Sequence, residues 1–430
     1  YVENVREELK QPGQWYLDRS TGVLTYLPLP DEKLTNVTLV APLLEKLVVF
    51  QGDPDKGPFV EHIRFEGLRF GQNEWPVPDA GYDTSQGQPQ LPAAIEMTGA
   101  RFCGLERCVV ADTGAYGVSL GLGCEQCYVR GCFLYDLGGG GVKVGDYRMN
   151  QQAQPPLLPV GNMVENNLIT HYGVVHYSSN GVWAGIVRDT KIRHNEVSHG
   201  PYTGIACGWN WSPTPTSAGG NVIEANHVHD VMDLVQDGGG IYTLGRQPGN
   251  IIRGNVIHDN HRGTFACADG QCGLYFDEGS TGFLVEDNIV YDVDWNNSQI
   301  AQNRNTANDH TIRNNSLGVK PDDPAFPKNI AARAGVEKEW AGVIFPVRLT
   351  PNPVYAMQWP TLPQVPQSLN LTFEDVPVGM MARRWSLAGA TEGATFAVTD
   401  ELAAAGQRSL KVTDKPGLGK SFYPYATYGF

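Results

Sequence analysis

From about residue 61 the apolar positions of the chain follow one short phrase, apolar-x-x-Asn-x-apolar. It reads VENNLI around Asn167, IRHNEV around Asn195, IEANHV around Asn226, IRGNVI around Asn255, VEDNIV around Asn288 and IRNNSL around Asn315. Two earlier copies, LERCVV and VRGCFL, put Cys108 and Cys132 in the Asn slot. Successive slots lie 24 to 35 residues apart, so the phrase is fixed while the chain between copies varies. Such spacing predicts one structural coil per repeat, with insertions looping outward. Within each phrase apolar and polar residues alternate, which predicts strands, and no 3.6-residue period competes. Short strands stacked coil on coil, about 4.8 Å apart, make a parallel β-helix. Asn suits a bend there, because stacked amides bond up and down a ladder. A leucine-rich repeat would show LxxLxL and more uniform spacing, and neither is present.

Most coils carry a second, glycine-led strand: GVSLG (117–121), GVKVG (141–145), GVWAG (181–185), GIACG (204–208), GIYTL (240–244) and GLYFD (273–277). Positions one and three after the glycine are almost all apolar and should face inward. Positions two and four then face outward, giving the stripe Ser119, Lys143, Trp183, Ala206, Tyr242, Tyr275. Position four of the last copy is Asp277, expected on the outer surface beside an exposed Tyr275.

The ends depart from this pattern. In residues 1–60, WYLDRSTGVLTYLP alternates around a turn and predicts a β-hairpin, a β-sandwich remnant leading into the helix over 61–340. After the last slot, IAARAGVEKEW predicts a helix capping the solenoid. Residues 341–368 are proline-rich and read as an extended linker. From Leu369 to the end, LTFEDVPVG, ATFAVTD and SLKVTDKPG predict a partial, carbohydrate-associated β-sandwich.

Composition narrows the function. The 430 residues include 50 Gly, which suits tight turns more than helices. A formal net charge of −14 argues against nucleic acid and anionic membrane, and weakly against a polyanionic substrate. No apolar run reaches the roughly 18 residues of a membrane span. A chain beginning at Tyr1 looks like a trimmed or mature product, and the expectation is a secreted or periplasmic monomer. Cys124, Cys127 and Cys132 have no nearby His and read as packed thiols. Cys267 and Cys272 bracket ADGQ and are either a disulfide or free. No phosphate loop, HExxH, nucleophile elbow or dinucleotide fingerprint occurs, and no cofactor is expected.

The candidate chemistry lies in Asp237, Asp277 and Glu278, acids in glycine-rich turns of the last glycine-led coils. The aromatics Trp183, Tyr242, Tyr275, Trp209 and Trp211 would line a groove on which sugar rings stack. Arg246 would bind a substrate hydroxyl or carboxylate, or pair with Glu278. The series His171, His199, Asp230, Asp259, Asp292 falls at one place in each coil and reads as a structural ladder. A metal site from His229 and His258 lacks an evident third ligand.

Two phrases together, PGQWYLDRSTGVLTYLP and DGGGIYTLG…NVIHDN…GLYFDEGSTG…VEDNIVYD, resemble right-handed parallel β-helix carbohydrate enzymes of the pectate-lyase-like kind. The pairing looks most like glycoside hydrolase family 141, whose members act on fucosides and xylans, with family 120 xylosidases the nearest rival. The resemblance covers roughly residues 1–345. It implies a glycoside hydrolase acting on a plant or microbial polysaccharide. Its two catalytic aspartates would be Asp237 of QDGGGIY and Asp277 of YFDEGS. One carboxyl would protonate the leaving oxygen and one would stay ionised, about 5 Å apart for retention or roughly 6.5–9.5 Å for inversion. Against the pair stands an offset of about 23 Å on straight strands, at roughly 3.3 Å per residue. The Gly238–Gly240 stretch would have to turn Asp237 back, and Glu278 is the substitute acid. Two other readings stay open. A polysaccharide lyase would use Lys143 or Arg246 as base and Asp230, Asp233 and Asp237 to hold Ca²⁺. A solenoid that binds glycans without turning them over is the other.

Overall fold

The computed structural model describes residues 5–33, 39–78, 81–82, 85–261, 263, 271–294, 300–302, 309–344, 385–388, 395–399, 409–413 and 425–428. The chain divides into two compact units, residues 44–346 and residues 1–43 with 347–430.

The larger unit is a parallel β-helix. Among the described residues its strands form three nine-stranded parallel sheets, one strand of each per coil. Sheet A runs from Val48–Gln51 to Ile300–Gln302 and contains the glycine-led strands. Sheet B runs from Arg69–Asn73 to Ser316–Leu317, and sheet C from Arg64–Glu66 to Thr311–Arg313. Inward residues of all three, among them Val118, Leu134, Val164, Ile205, Ile241 and Leu274, fill the tube and are wholly buried. Each such aliphatic contributes about 1.5–3 kcal/mol by leaving water.

The Asn slots sit at the bend between sheets C and B. The side-chain amide of each donates to the carbonyl oxygen of the next, from Asn167 to Asn195 at 2.9 Å through to Asn288 and Asn315 at 2.9 Å. The same amides also donate to backbone carbonyls, as Asn195 does to Val164 at 2.8 Å. Cys132 stands at the head of the ladder, its N–H donating to Asn167. At another bend the side-chain oxygens of Asn162, Asn221 and Asn250 accept from the backbone N–H groups of Cys127, Thr190 and Asn221 on the preceding coil, a pattern that was not evident in the sequence.

Backbone conformation explains two further sequence columns. The residue before the slot is left-handed in coil after coil, at Arg107, Asn166, His194, Ala225, Asp287 and Asn314, with glycine at 131 and 254. Four residues after the slot stand Asp112, Asp136, His171, His199, Asp230, Asp259 and Asp292, all with φ between 50° and 54°. Asp, Asn and His tolerate this region better than other side chains. The His/Asp series is therefore a backbone device.

The stretch IAARAGVEKEW does not form one helix. Short helices Lys328–Ala331 and Lys338–Ile344 are separated by a turn containing Gly335 at φ 82°. Nor does it cap an end. It lies along the flank, where the Trp340 ring rests on Gly131 beneath Arg107, and Glu337 bonds both ways with Asn166. The bend residues leave a furrow there that a flat ring fills.

In the smaller unit the hairpin Trp15–Asp18 and Val23–Tyr26 forms antiparallel as its alternation predicts. Val23 pairs with Lys411, and Ser409–Thr413 pairs with Thr395–Thr399, so both chain ends share a four-stranded sheet. The linker expected over 341–368 lies outside the described residues after 344. No described helix is long and apolar enough to cross a membrane.

Candidate functional site

The outward register of the glycine-led strands is as the alternation predicts, but the stripe is not exposed. Ser119, Lys143, Trp183, Ala206, Tyr242 and Tyr275 are all buried, Trp183 at 0% and Tyr275 at 3% exposure. Trp183, Ala206, Tyr242 and Tyr275 form a second apolar cluster on the outer face of sheet A with Leu91, Tyr116 and Cys272, and Trp75, Tyr82 and Trp209 pack on it. The cover comes from insertions, which carry no repeat phrase. Trp183 is thus a buried platform for Gly87 and Trp209, not an open sugar-stacking surface. Lys143 is not placed as a base either. Its Nζ donates to the carbonyls of Pro89 and Leu91 at 3.0 and 2.6 Å and clasps the covering loop to the sheet.

At its far end the stripe meets the acids, of which Asp237 reaches solvent. Tyr242 and Tyr275 are register partners on neighbouring strands, with ring centroids 5.4 Å apart. The Tyr242 hydroxyl donates to Asp277 Oδ2, and the Tyr275 hydroxyl to Asp237 Oδ1 at 3.4 Å. The two tyrosines therefore span the offset between the aspartates. The fold-back does not come from the three glycines, which lie in the strand Gly238–Thr243. It comes from Asp237 itself, at φ 63°. The glycines are there for space: a Cβ on Gly238 would overlap Thr203 Oγ1, and one on Gly240 would overlap Ile257 Cγ2.

Asp237 and Asp277 have different surroundings. Asp277 is 5% exposed, while Asp237 keeps contact with solvent. Removal of surrounding water raises the pKa of Asp237 above its ordinary value, repulsion from Asp277 raises it further, and Glu278 adds a smaller push. The Tyr275 hydrogen bond opposes them. The two carboxyls are thus within electrostatic reach of each other.

Glu278 is half-buried, and its carbonyl accepts from the N–H of Gly245, next to the exposed Arg246. Close to that turn runs the loop carrying Trp209 and Trp211. Its backbone at Asn210 and Ser212 lies so near Gly245 and Gly279 that neither has room for a Cβ. Trp183, Trp209 and Trp211 stack edge to face at 5.4 and 4.7 Å, leading from the buried stripe to a ring that is 42% exposed.

Two contributors escaped sequence reasoning. Gln86 Nε2 donates to the hydroxyls of Tyr202 and Tyr242 at 2.7 and 3.2 Å and to the Asp237 carbonyl at 3.4 Å. The Tyr202 hydroxyl donates to the same carbonyl at 2.7 Å. Gln86 lies 151 residues from Asp237 in an insertion with no motif, so only the fold brings it there. Tyr202 precedes a glycine-led strand and could have been read as the start of the next coil's wall.

Other candidate groups lie elsewhere. Among the described residues Asp230, Asp233 and Asp237 do not converge as cation ligands, and Asp230 bonds His229 instead. Cys124, Cys127 and Cys132 are buried thiols of the inner core. Cys272 is a buried thiol against Gly238, and Cys267 lies outside the described residues. A cavity of about 420 Å³, lined by His194, Glu224, Arg253, Asp287 and Arg333, lies on the flank beside Lys328–Ala331 and includes none of the candidate acids.

No curated protein matches this sequence. A solved structure described as "Glycoside hydrolase" superimposes with a TM-score of 0.69 at 26% identity, over 79% of this chain and 61% of its own. The chain thus spans about three fifths of that neighbour's length. A second, "The complex structure of XylC with xylose", aligns with a TM-score of 0.39 at 12% identity, over 57% of this chain and 36% of that one. The family described as "Right handed beta helix region" matches residues 93–322, more than half of the chain and most of the stacked coils. On that match and the three parallel sheets, the chain belongs to the right-handed β-helix family.

Proposed function

We propose that this protein hydrolyses a glycosidic bond, with Asp237 as proton donor and Asp277 as the ionised carboxylate. The observation that carries the reading is the aspartate pair on neighbouring coils, joined through Tyr242 and Tyr275 and coupled by charge. Glycoside hydrolysis needs two carboxyls with unlike protonation. Desolvation and Asp277 push the Asp237 carboxyl up, the direction required of a group that delivers a proton to the leaving oxygen. Asp277 accepts the Tyr242 hydroxyl hydrogen, which fixes the orientation of its carboxyl for attack on the anomeric carbon or for activating a water. Trp211 and the solvent-facing edge of Trp209 offer the stacking wall, and Arg246 a hydroxyl contact. The neighbour described as a glycoside hydrolase supports the reaction class. We propose fucoside- or xylan-type linkages as the substrate class, in line with the family 141 likeness of the sequence phrases.

The test is turnover of aryl fucosides, aryl xylosides and xylan by the wild type, Asp237→Asn and Asp277→Asn. Each variant should lose on the order of 10²–10⁴-fold in kcat/KM. The anomer formed first, read by NMR, distinguishes retention from inversion. Full activity in Asp277→Asn would remove the pair from the mechanism.

A further inference from the structure

We propose that Glu196, His227 and His229 form a binding site for a late first-row divalent cation, of the zinc or nickel kind, on the outer face of sheet B. The inference is independent of the glycosidase reading. It rests first on register. Glu196 lies in the strand Glu196–Gly200 and pairs with His227 of the next strand, His227–Val231. His229, two residues further along that strand, leaves the same face. One ring nitrogen of each histidine and a carboxylate oxygen of Glu196 lie within 4.8 Å of one another, and all three side chains are half-buried.

The second observation is the state of His229. Its Nδ1 bonds Asp230 Oδ2 at 2.7 Å, which turns Nε2 toward the cluster. Nε2 is buried without a hydrogen-bond partner, and Glu196 Oε1 stands 3.6 Å from it. That distance is long for a hydrogen bond. Two ligands on one tetrahedral zinc, each at about 2.0–2.1 Å, are separated by roughly 3.4 Å. A carboxylate on the far nitrogen of a metal-facing histidine is also the usual outer support of such ligands, fixing ring and tautomer.

The third observation is His258. Its Nε2 lies 2.7 Å from His227 Nε2, while its Nδ1 bonds Asp259. Two imidazole nitrogens that close share one proton, so His258 orients the His227 ring. Two imidazoles and one carboxylate suit zinc, nickel or copper over calcium or magnesium, which take oxygen ligands. A metal here would staple two successive coils through their outward side chains.

The test uses the untagged full chain, stripped with chelator and titrated with Zn²⁺ by calorimetry, then with Co²⁺ by visible absorption. One saturable Zn²⁺ per chain is expected, with the visible bands of a tetrahedral Co²⁺ site and a rise in melting temperature. His229→Gln and Glu196→Gln should each weaken binding 10-fold or more, and Asp230→Asn about 10-fold. His261→Asn, in the neighbouring Asp259–His261–Asp292 group, should leave it unchanged. Circular dichroism checks that the variants fold, and Glu196→Gln and Asp230→Asn carry the test if His229→Gln does not. Absence of saturable binding in the wild type overturns the proposal, as does binding that survives Glu196→Gln and Asp230→Asn or is lost with His261→Asn.

Discussion

Ile241 and Tyr242 are adjacent on one strand of sheet A, and both are buried. Ile241 faces the tube, between its register partners Ile205 and Leu274, which belong to the same inner core and to the repeat. Tyr242 faces the other way, between Ala206 and Tyr275, and is covered by residues such as Gln86 from an insertion. The inner face is packed chiefly by aliphatic side chains. The outer face holds hydroxyls, amides and carboxyls under a partial roof. Apolar packing and the Asn ladders make the stack, and the insertions decide what chemistry its outer surface carries.

Exchanging damage between the two faces tests this division. The largest effect expected is on activity: Asp277→Asn should lower kcat/KM on the order of 10²–10⁴-fold. Its urea midpoint should stay close to that of the wild type. Ile241→Ala should do the reverse, losing about 2–5 kcal/mol in urea unfolding while the folded fraction keeps its kcat/KM. A stable, inactive Ile241→Ala would break the comparison.

Smaller in size is the roof itself. Trp183→Phe should cost roughly 1–2 kcal/mol, eased because the buried indole N–H has no hydrogen-bond partner to lose. Amide exchange should quicken in residues 85–92 and 209–216 while the inner strands keep their protection. Uniform loosening of all three sheets would mean that the outer cluster belongs to the core.

The finest test is the pH profile. The proposed donor must be protonated, so kcat/KM falls as pH rises through the pKa of Asp237. Tyr275→Phe removes a bond that lowers this pKa, so the alkaline limb should move to higher pH. Glu278→Gln removes a repulsion that raises it, and the limb should move to lower pH by a smaller amount. Shifts of the same sign in both variants would take the proton off Asp237.

The stack was legible because its forces repeat. Each Asn slot recurs with its flanking alternation, and each glycine-led strand shows which side faces in. Even the left-handed bends were written in the sequence, as Gly131, Asn166, Gly254 and Asp287 before the slot. The site was legible only in part. Asp277 and Tyr275 could be placed by register, but their burial depends on insertions that obey no period. The meeting of Asp237 with Tyr275 depends on one positive φ and on a tyrosine leaning along its strand. Glu196 and His227 each follow their Asn slot directly, so the aligned phrases already held this pair, and only the meeting with His229 two residues on needed the fold.

Between Cys132 and Asn167 the chain takes 35 residues for one coil, and between Asn288 and Asn315 only 27, yet the amide ladder runs on without a gap. Length is thus added where it does not disturb the vertical register. Such a frame works like shelving: what stands on one shelf can be replaced without rebuilding the uprights. The loop bearing Trp209 and Trp211 joins two strands that pair with their neighbours in the ordinary register. A loop of other length grafted between Gly208 and Gly219 should therefore leave the stack intact and change which molecules fit above Asp277, making this segment the natural place to redesign selectivity.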